Sequence, residues 1–242
     1  MSPRLPALAL ALTLPFAAAA DPAEIDRRVE DLLGRMTLEE KIGQLHLGSN
    51  GPGFRPDLVR GGLVGGLMNF NDAPAVAEVQ AMARGSRLGV PLLIGLDVLQ
   101  GFRTIFPVPL AQAAAFDPAA AREAARIAAL ESVSAGVNWT FAPMADLSRD
   151  ARWGRMIEGS GEDPLLNRLY TTARVEGFRA GGLATSLKHF VGYGAALGGR
   201  DYDASEIGAA DLRDAHLPAF EAGVRAGAET VMASLNALDG VP

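Results

Sequence analysis

Apolar runs at residues 63–70, 91–96, 137–147, 183–191 and 230–235 recur along the chain, roughly 25 to 45 residues apart, with helical patterns between them. This alternation constrains the fold more than any other feature. Short runs that are apolar throughout belong to strands buried on both faces, and strands separated by helices pair in parallel. The chain is therefore read as α/β. A closed (β/α)8 barrel takes about 250 residues and eight β/α units. Five units correspond to an incomplete (β/α)8 TIM-barrel-like domain, about five of eight, preceded by a helical segment at 23–47. A Rossmann sheet is the competing architecture. It is disfavoured because no Gly-x-Gly-x-x-Gly follows a strand, and the pairs Gly61-Gly62 and Gly65-Gly66 flank or enter a strand instead.

The helices are punctuated by Asp-Pro pairs. Asp117-Pro118 supplies an N-cap and a first-turn proline, and Gly136 closes the helix that follows. Asp163-Pro164 opens another, with Leu166, Leu169, Tyr170, Ala173 and Gly177 on one face and Gly181-Gly182 at its end. A third, at 211–227, contains Pro218 and should kink or split into two short helices.

The first twenty residues stand apart. Arg4 is their only charge, an Ala/Leu-rich run fills 5–17, and Ala18-Ala19-Ala20 precedes Asp21. This pattern is that of a secretory signal peptide, with an apolar run too short to span a bilayer. Residues 21–242 would then be one domain, periplasmic or secreted. Without Arg4 the balance is 21 basic to 28 acidic residues, a net charge of −7. Such mild acidity provides no footprint for nucleic acid or for an anionic membrane. The chain has no cysteine, which excludes disulfides, thiolate catalysis and Cys-ligated metal. No His-Glu-x-x-His or EF-hand spacing occurs, and neither a metal nor a cofactor is expected.

Polar clusters gather where the apolar runs end. Asp97 directly follows one run, and a carboxylate there can accept two hydrogen bonds from vicinal hydroxyls, as a sugar offers; a helix cap or a loop ion pair is the plainer alternative. The stretch from Arg149 to Arg155 follows the next run and combines guanidinium forks with Trp153, a pairing suited to carbohydrate. Arg155 is the preferred ligand in it. Arg149 and Asp150 are expected to pair with each other, and Glu158 to shape the loop. Lys188 and His189 end the fourth run. Neighbours on a strand point to opposite faces, so only one need face a pocket unless the strand breaks, which Gly192 permits. Asp201 and Asp203 lie in the loop beyond. His46 and His216 read as helix-surface residues.

Taken together, these stretches resemble glycoside hydrolase family 3, the β-glucosidase family. The matching segments are Gly95 to Gly101 with Thr104 to Pro107, Asn138 to Pro143, Arg149 to Arg155 with Glu158 to Pro164, Lys188-His189-Phe190 with Gly192 to Gly194 and Gly198 to Tyr202, and Val231 to Asn236. Met36 to Lys41 is similar to the family's opening helix. The resemblance implies a retaining hydrolase that removes terminal β-D-glucosyl residues, with Asp97, Arg155, Lys188 and His189 hydrogen-bonding the hydroxyls of the terminal sugar. It also implies a nucleophilic aspartate in a Ser-Asp-Trp-like motif. No Ser-Asp pair occurs in these 242 residues, so nucleophile and acid/base are both expected beyond Pro242, in a longer protein of which this is the N-terminal portion. Gln100 stands where many members have His, and Ala151 where Pro is common. The absence of His from 195–205 disfavours the N-acetylglucosaminidase branch; glucosidase and xylosidase preferences both stay open. Two other readings compete: a non-catalytic sugar-binding or scaffold module, and a Schiff-base aldolase acting through Lys188.

Overall fold

The computed structural model describes residues 21–242; the proposed signal peptide lies outside the described residues. Two compact units divide at Leu38. In the first, α1 (Pro22–Arg35) starts at Asp21, whose carboxylate accepts from the Ala23 N–H, and Pro22 takes the first turn. None of its residues is buried.

In the second unit a six-stranded, all-parallel sheet runs in sequential order. Its strands are β1 (Leu47–Ser49), β2 (Gly66–Met68), β3 (Leu93–Leu96), β4 (Trp139–Thr140), β5 (Ala184–Phe190) and β6 (Thr230–Ala233). The register sets Gly66 beside Leu93, Gly95 beside Trp139 and Thr140 beside Thr185. The helices α2 (Leu38–Gln44), α3 (Pro56–Arg60), α4 (Ala73–Arg84), α5 (Pro109–Ala114), α6 (Pro118–Ser134), α7 (Pro164–Ala180), α8 (Ala209–Asp211) and α9 (Leu217–Arg225) accompany it. All but α2 lie on crossovers, as parallel pairing requires. This is a partial (β/α)8 barrel with one strand more than the five expected. The addition, β1, lies where the sequence predicts a continuous helical segment: α2 ends at Gln44, and Leu47 begins to pair with Gly66.

Packing explains the seams. Val76 and Val79 of α4, Ala125 and Ala128 of α6 and Phe178 of α7 bury against Leu67, Ile94 and Val137 of the sheet layer. Each large aliphatic residue so buried contributes about 2 kcal/mol. Helices α6 and α7 meet through small residues. A Cβ on Gly177 would lie 2.2 Å from Arg122 O, and one on Gly181 2.4 Å from Ala129 Cβ. The caps match the sequence expectation: Asp117 accepts from Ala120 N at 3.0 Å, and Asp163 from Leu166 N at 2.7 Å. Leu169, however, is exposed, and the buried face of α7 turns through Tyr170, Ala173 and Gly177 to include Arg174. Pro218 does not end the helix, which runs on through a π-turn instead. The proline sits in the first turn of α9, after that π-turn at Leu212–His216. At the β6 edge, Phe190, Val224 and Val231 leave an apolar groove of about 670 Å³ open.

Candidate functional site

The strands end in polar residues. Asp97 follows Leu96 of β3, Asp146 stands beyond β4, and Lys188 and His189 occupy the last positions of β5 before Phe190. A short 3-10 turn, Gly154–Glu158, brings Arg155 and Glu158 over the same end. In a barrel this is the face on which strand-end residues converge.

Lys188 is at the centre. Its side chain is only 3% exposed, and Nζ donates to Asp97 Oδ1 at 2.7 Å and lies 3.2 Å from Glu158 Oε2. Glu158 in turn accepts from Arg155 Nε at 2.8 Å and Nη2 at 3.1 Å, a two-pronged contact. Burial pushes the Glu158 carboxyl up, but the Arg155 hydrogen bond and the charges of Lys188 and Arg155 outweigh it and hold the group below the usual range. Burial pulls Arg155 down, and Glu158 more than reverses it. The Arg155 guanidinium lies 5.6 Å from the centre of the Tyr193 ring, and the ring of His189 meets Tyr193 edge-on at 4.9 Å. All four residues singled out in the sequence therefore belong to one cluster.

His189 is fixed from behind. Asp146 Oδ2 accepts its backbone N–H at 2.8 Å and contacts its ring Nδ1 at 2.7 Å. An oxygen already accepting one N–H makes Nδ1 the second donor, so Nε2 is the ring atom left without a hydrogen bond among the described residues. Both Lys188 and His189 are buried at the strand end, where strand alternation alone would turn one of them away. The peptide joining them is cis, and the β5–β6 register slips between Leu187 and Phe190. Gly192 follows with φ of +86°. Gly194 then approaches so closely that a Cβ would lie 2.3 Å from Leu147 O.

The sequence did not disclose the partners behind this cluster. Trp153 is buried against Tyr193, and its indole N–H donates to Asp201 at 2.9 Å. Burial pushes the Tyr193 phenol above its usual range, and Asp201 reinforces the shift. Asp146 could have been found as the lone acid inside the run 137–147. Arg149 and Asp150 do not pair with each other. Arg149 binds Asp211 at 3.0 Å, and Asp150 binds Arg152 at 2.7 Å, which holds the Asp150 carboxyl at about 2. His46 is exposed, beyond the end of α2. His216 is buried, with Nε2 3.7 Å from Asp211. No group of three or more His, Asp or Glu side chains among the described residues is arranged to hold a metal, and no described helix is long and apolar enough to cross a membrane.

Comparison with known proteins adds the following. Residues 37–242 match the model for the glycosyl hydrolase family 3 N terminal domain. The periplasmic beta-glucosidase of Salmonella typhimurium is 39% identical over 232 residues, which cover 91% of this chain and 30% of that protein. The beta-glucosidase of Listeria innocua, solved in complex with isofagomine, superimposes with a TM-score of 0.83 at 36% identity, over 89% of this chain and 33% of that one. The exo-1,3/1,4-beta-glucanase of a Pseudoalteromonas species gives 0.84 at 28% identity, over 91% and 31%. The chain thus spans about a third of the length of the relatives it matches.

Proposed function

The chain belongs to the glycosyl hydrolase family 3 N-terminal domain family, and from that membership we propose that its strand-end cluster binds the terminal β-D-glucosyl residue of a β-glucoside or oligosaccharide. Asp97, Arg155, Lys188 and His189 are the ligands. The observation that carries this reading is the Lys188–Asp97 pair. The ammonium is buried, while the Asp97 side chain is 47% exposed, so a carboxylate already oriented by its counter-charge faces outward with lone pairs to spare. Such a group suits vicinal hydroxyls. Hydroxyl contacts that tighten as the ring distorts toward an oxocarbenium-like transition state lower the barrier by several kcal/mol.

The reaction we propose is retaining hydrolysis, carried out by an exported, periplasmic or secreted enzyme. The nucleophile and acid/base are not among the strand-end residues. Glu158, held below the usual carboxylate range by Arg155 and Lys188, is ionised at neutral pH and cannot act as the general acid. Lys188 donates to Asp97 and lies 3.2 Å from Glu158, so its Nζ is engaged where a Schiff base would need it facing a carbonyl.

Trp153, packed on Tyr193, is a reporter for the test. Glucose or isofagomine should change the intrinsic fluorescence of the chain saturably, and Asp97→Ala should weaken that binding at least tenfold. Aryl β-glucosides should not be turned over by the 242-residue chain. An undiminished response in Asp97→Ala would remove the cluster from the binding site, and turnover lost on Asp97→Ala would place the chemistry within these residues.

A further inference from the structure

Of the five Trp and Tyr side chains, Tyr202 alone is exposed, at 63%. Its backbone has φ of +67°, a left-handed conformation that is unfavourable for a bulky residue. The ring gains little packing in return. Strain without a packing gain is not accounted for by the stability of the fold, and it points to a use for the side chain.

The loop that carries Tyr202 is fixed from several sides. Ala196 and Ser205 close it as an antiparallel bridge, and the Leu197 N–H donates to Ala204 O at 2.9 Å. Gly199 lies so close to the Arg152-Trp153 segment that a Cβ on it would stand 2.7 Å from Arg152 Cβ. Asp201 accepts the Trp153 indole N–H at 2.9 Å. Asp203 accepts from Arg200 Nε at 2.7 Å and from the Ala204 N–H at 2.8 Å. Tyr202 stands between these two anchored acids, so little ordering of the loop is left to oppose binding.

The ring also adjoins the strand-end cluster. Its centre lies 6.0 Å from that of Tyr193. Tyr193 in turn meets the His189 ring at 4.9 Å and the Arg155 guanidinium at 5.6 Å. Tyr202 is therefore one ring further out than two of the four candidate sugar ligands. Those four offer charge and hydrogen bonds. Tyr202 offers a flat apolar face, which suits the C–H face of a pyranose.

We propose that Tyr202 is a specificity-determining residue, its exposed face stacking on the second ring of a β-linked disaccharide whose terminal ring is held by Asp97, Arg155, Lys188 and His189. This rests on the sugar-binding reading of the cluster and adds to it a preference for disaccharide over glucose.

The test is calorimetric titration of the chain with glucose, laminaribiose and cellobiose. At least one disaccharide should bind about fivefold more tightly than glucose. Tyr202→Gly suits the left-handed backbone. It should abolish that advantage, leave glucose affinity unchanged and keep the thermal midpoint within about 3 °C. Tyr202→Phe should retain the advantage. The stacking role alone would be overturned if neither disaccharide outbound glucose, if the advantage survived Tyr202→Gly, or if Tyr202→Phe lost it. An equal loss of glucose and disaccharide in Tyr202→Gly would overturn it too. No binding of glucose by the natural chain would overturn the strand-end reading and the stacking with it.

Discussion

Lys188 and Arg174 are the two most deeply buried long basic side chains among the described residues, at 2% and 4% exposure, yet their surroundings are opposite. Lys188 sits where strands end and loops begin, and two carboxylates reach it from β3 and from the 3-10 turn. Arg174 sits where α5, α6 and α7 meet, among alanines and Phe178, with one amide oxygen and a void. Loops can bring acids of any sequence separation to a strand end. A seam of small residues between helices cannot. Satisfied charge thus belongs to the strand ends, and weakly satisfied charge to the seam between helices.

The two cations should differ most when each is removed in turn, with the largest effect at Lys188. Lys188→Met leaves Asp97 without its partner and Glu158 with Arg155 alone, and should cost about 3 kcal/mol in urea denaturation as well as the sugar response. Arg174→Met removes a buried charge and leaves an apolar side chain of somewhat smaller volume. It should stay within about 1 kcal/mol of the natural chain, because buried ionic groups replaced by apolar ones are often neutral. Equal losses in both variants would erase the distinction between the two environments.

Asp146→Ala would make the paired end resemble the unpaired one. It strips the acceptor from both the backbone N–H and the Nδ1–H of His189, and buried donors left unmatched cost about 2 kcal/mol in the same denaturation assay. His216 occupies the middle ground. Burial pulls it down from 6.5 and Arg149 adds to that, while Asp211 and Asp146 pull the other way without prevailing. Below 6.5 the unfolded chain takes up a proton that the folded histidine refuses, so stability should decline as the pH falls through that region. His216→Leu should flatten the decline. Glu158 acts lower. Its folded value is depressed, so its contribution is complete above its ordinary 4.5 and is lost as the pH falls through the folded value. A pH titration of the denaturation midpoint separates the two windows. The smallest effect is expected at the exposed cap of α7. Asp163→Ala should cost about 1 kcal/mol and leave the sugar response intact.

Much of this was legible in the chain. Asp97, Lys188 and His189 stand where apolar runs stop, and Asp-Pro pairs mark α6 and α7, because both signals are local. Signals that depend on distant partners were not. Arg149 and Asp150 are adjacent in sequence, yet Arg149 binds Asp211, 62 residues away. Regular helical spacing puts His216 on a surface, but the π-turn at Leu212–His216 shifts the register and carries the ring inward. Strand β1 is three residues long and contains Gly48 and Ser49, too little apolar pattern to distinguish from a helix end. Arg174 gave no sign at all, since a basic residue in an amphipathic helix is read as solvent-facing.

The most direct test of the strand-end site is the imidazole nitrogen spectrum of ¹⁵N-labelled His189 during a glucose titration. Asp146 should hold the ring with its proton on Nδ1, and Nε2 should move saturably as glucose binds, with the movement abolished in Asp97→Ala. A Nε2 resonance that ignores glucose throughout, or moves equally in Asp97→Ala, would contradict a sugar-binding role for these four residues.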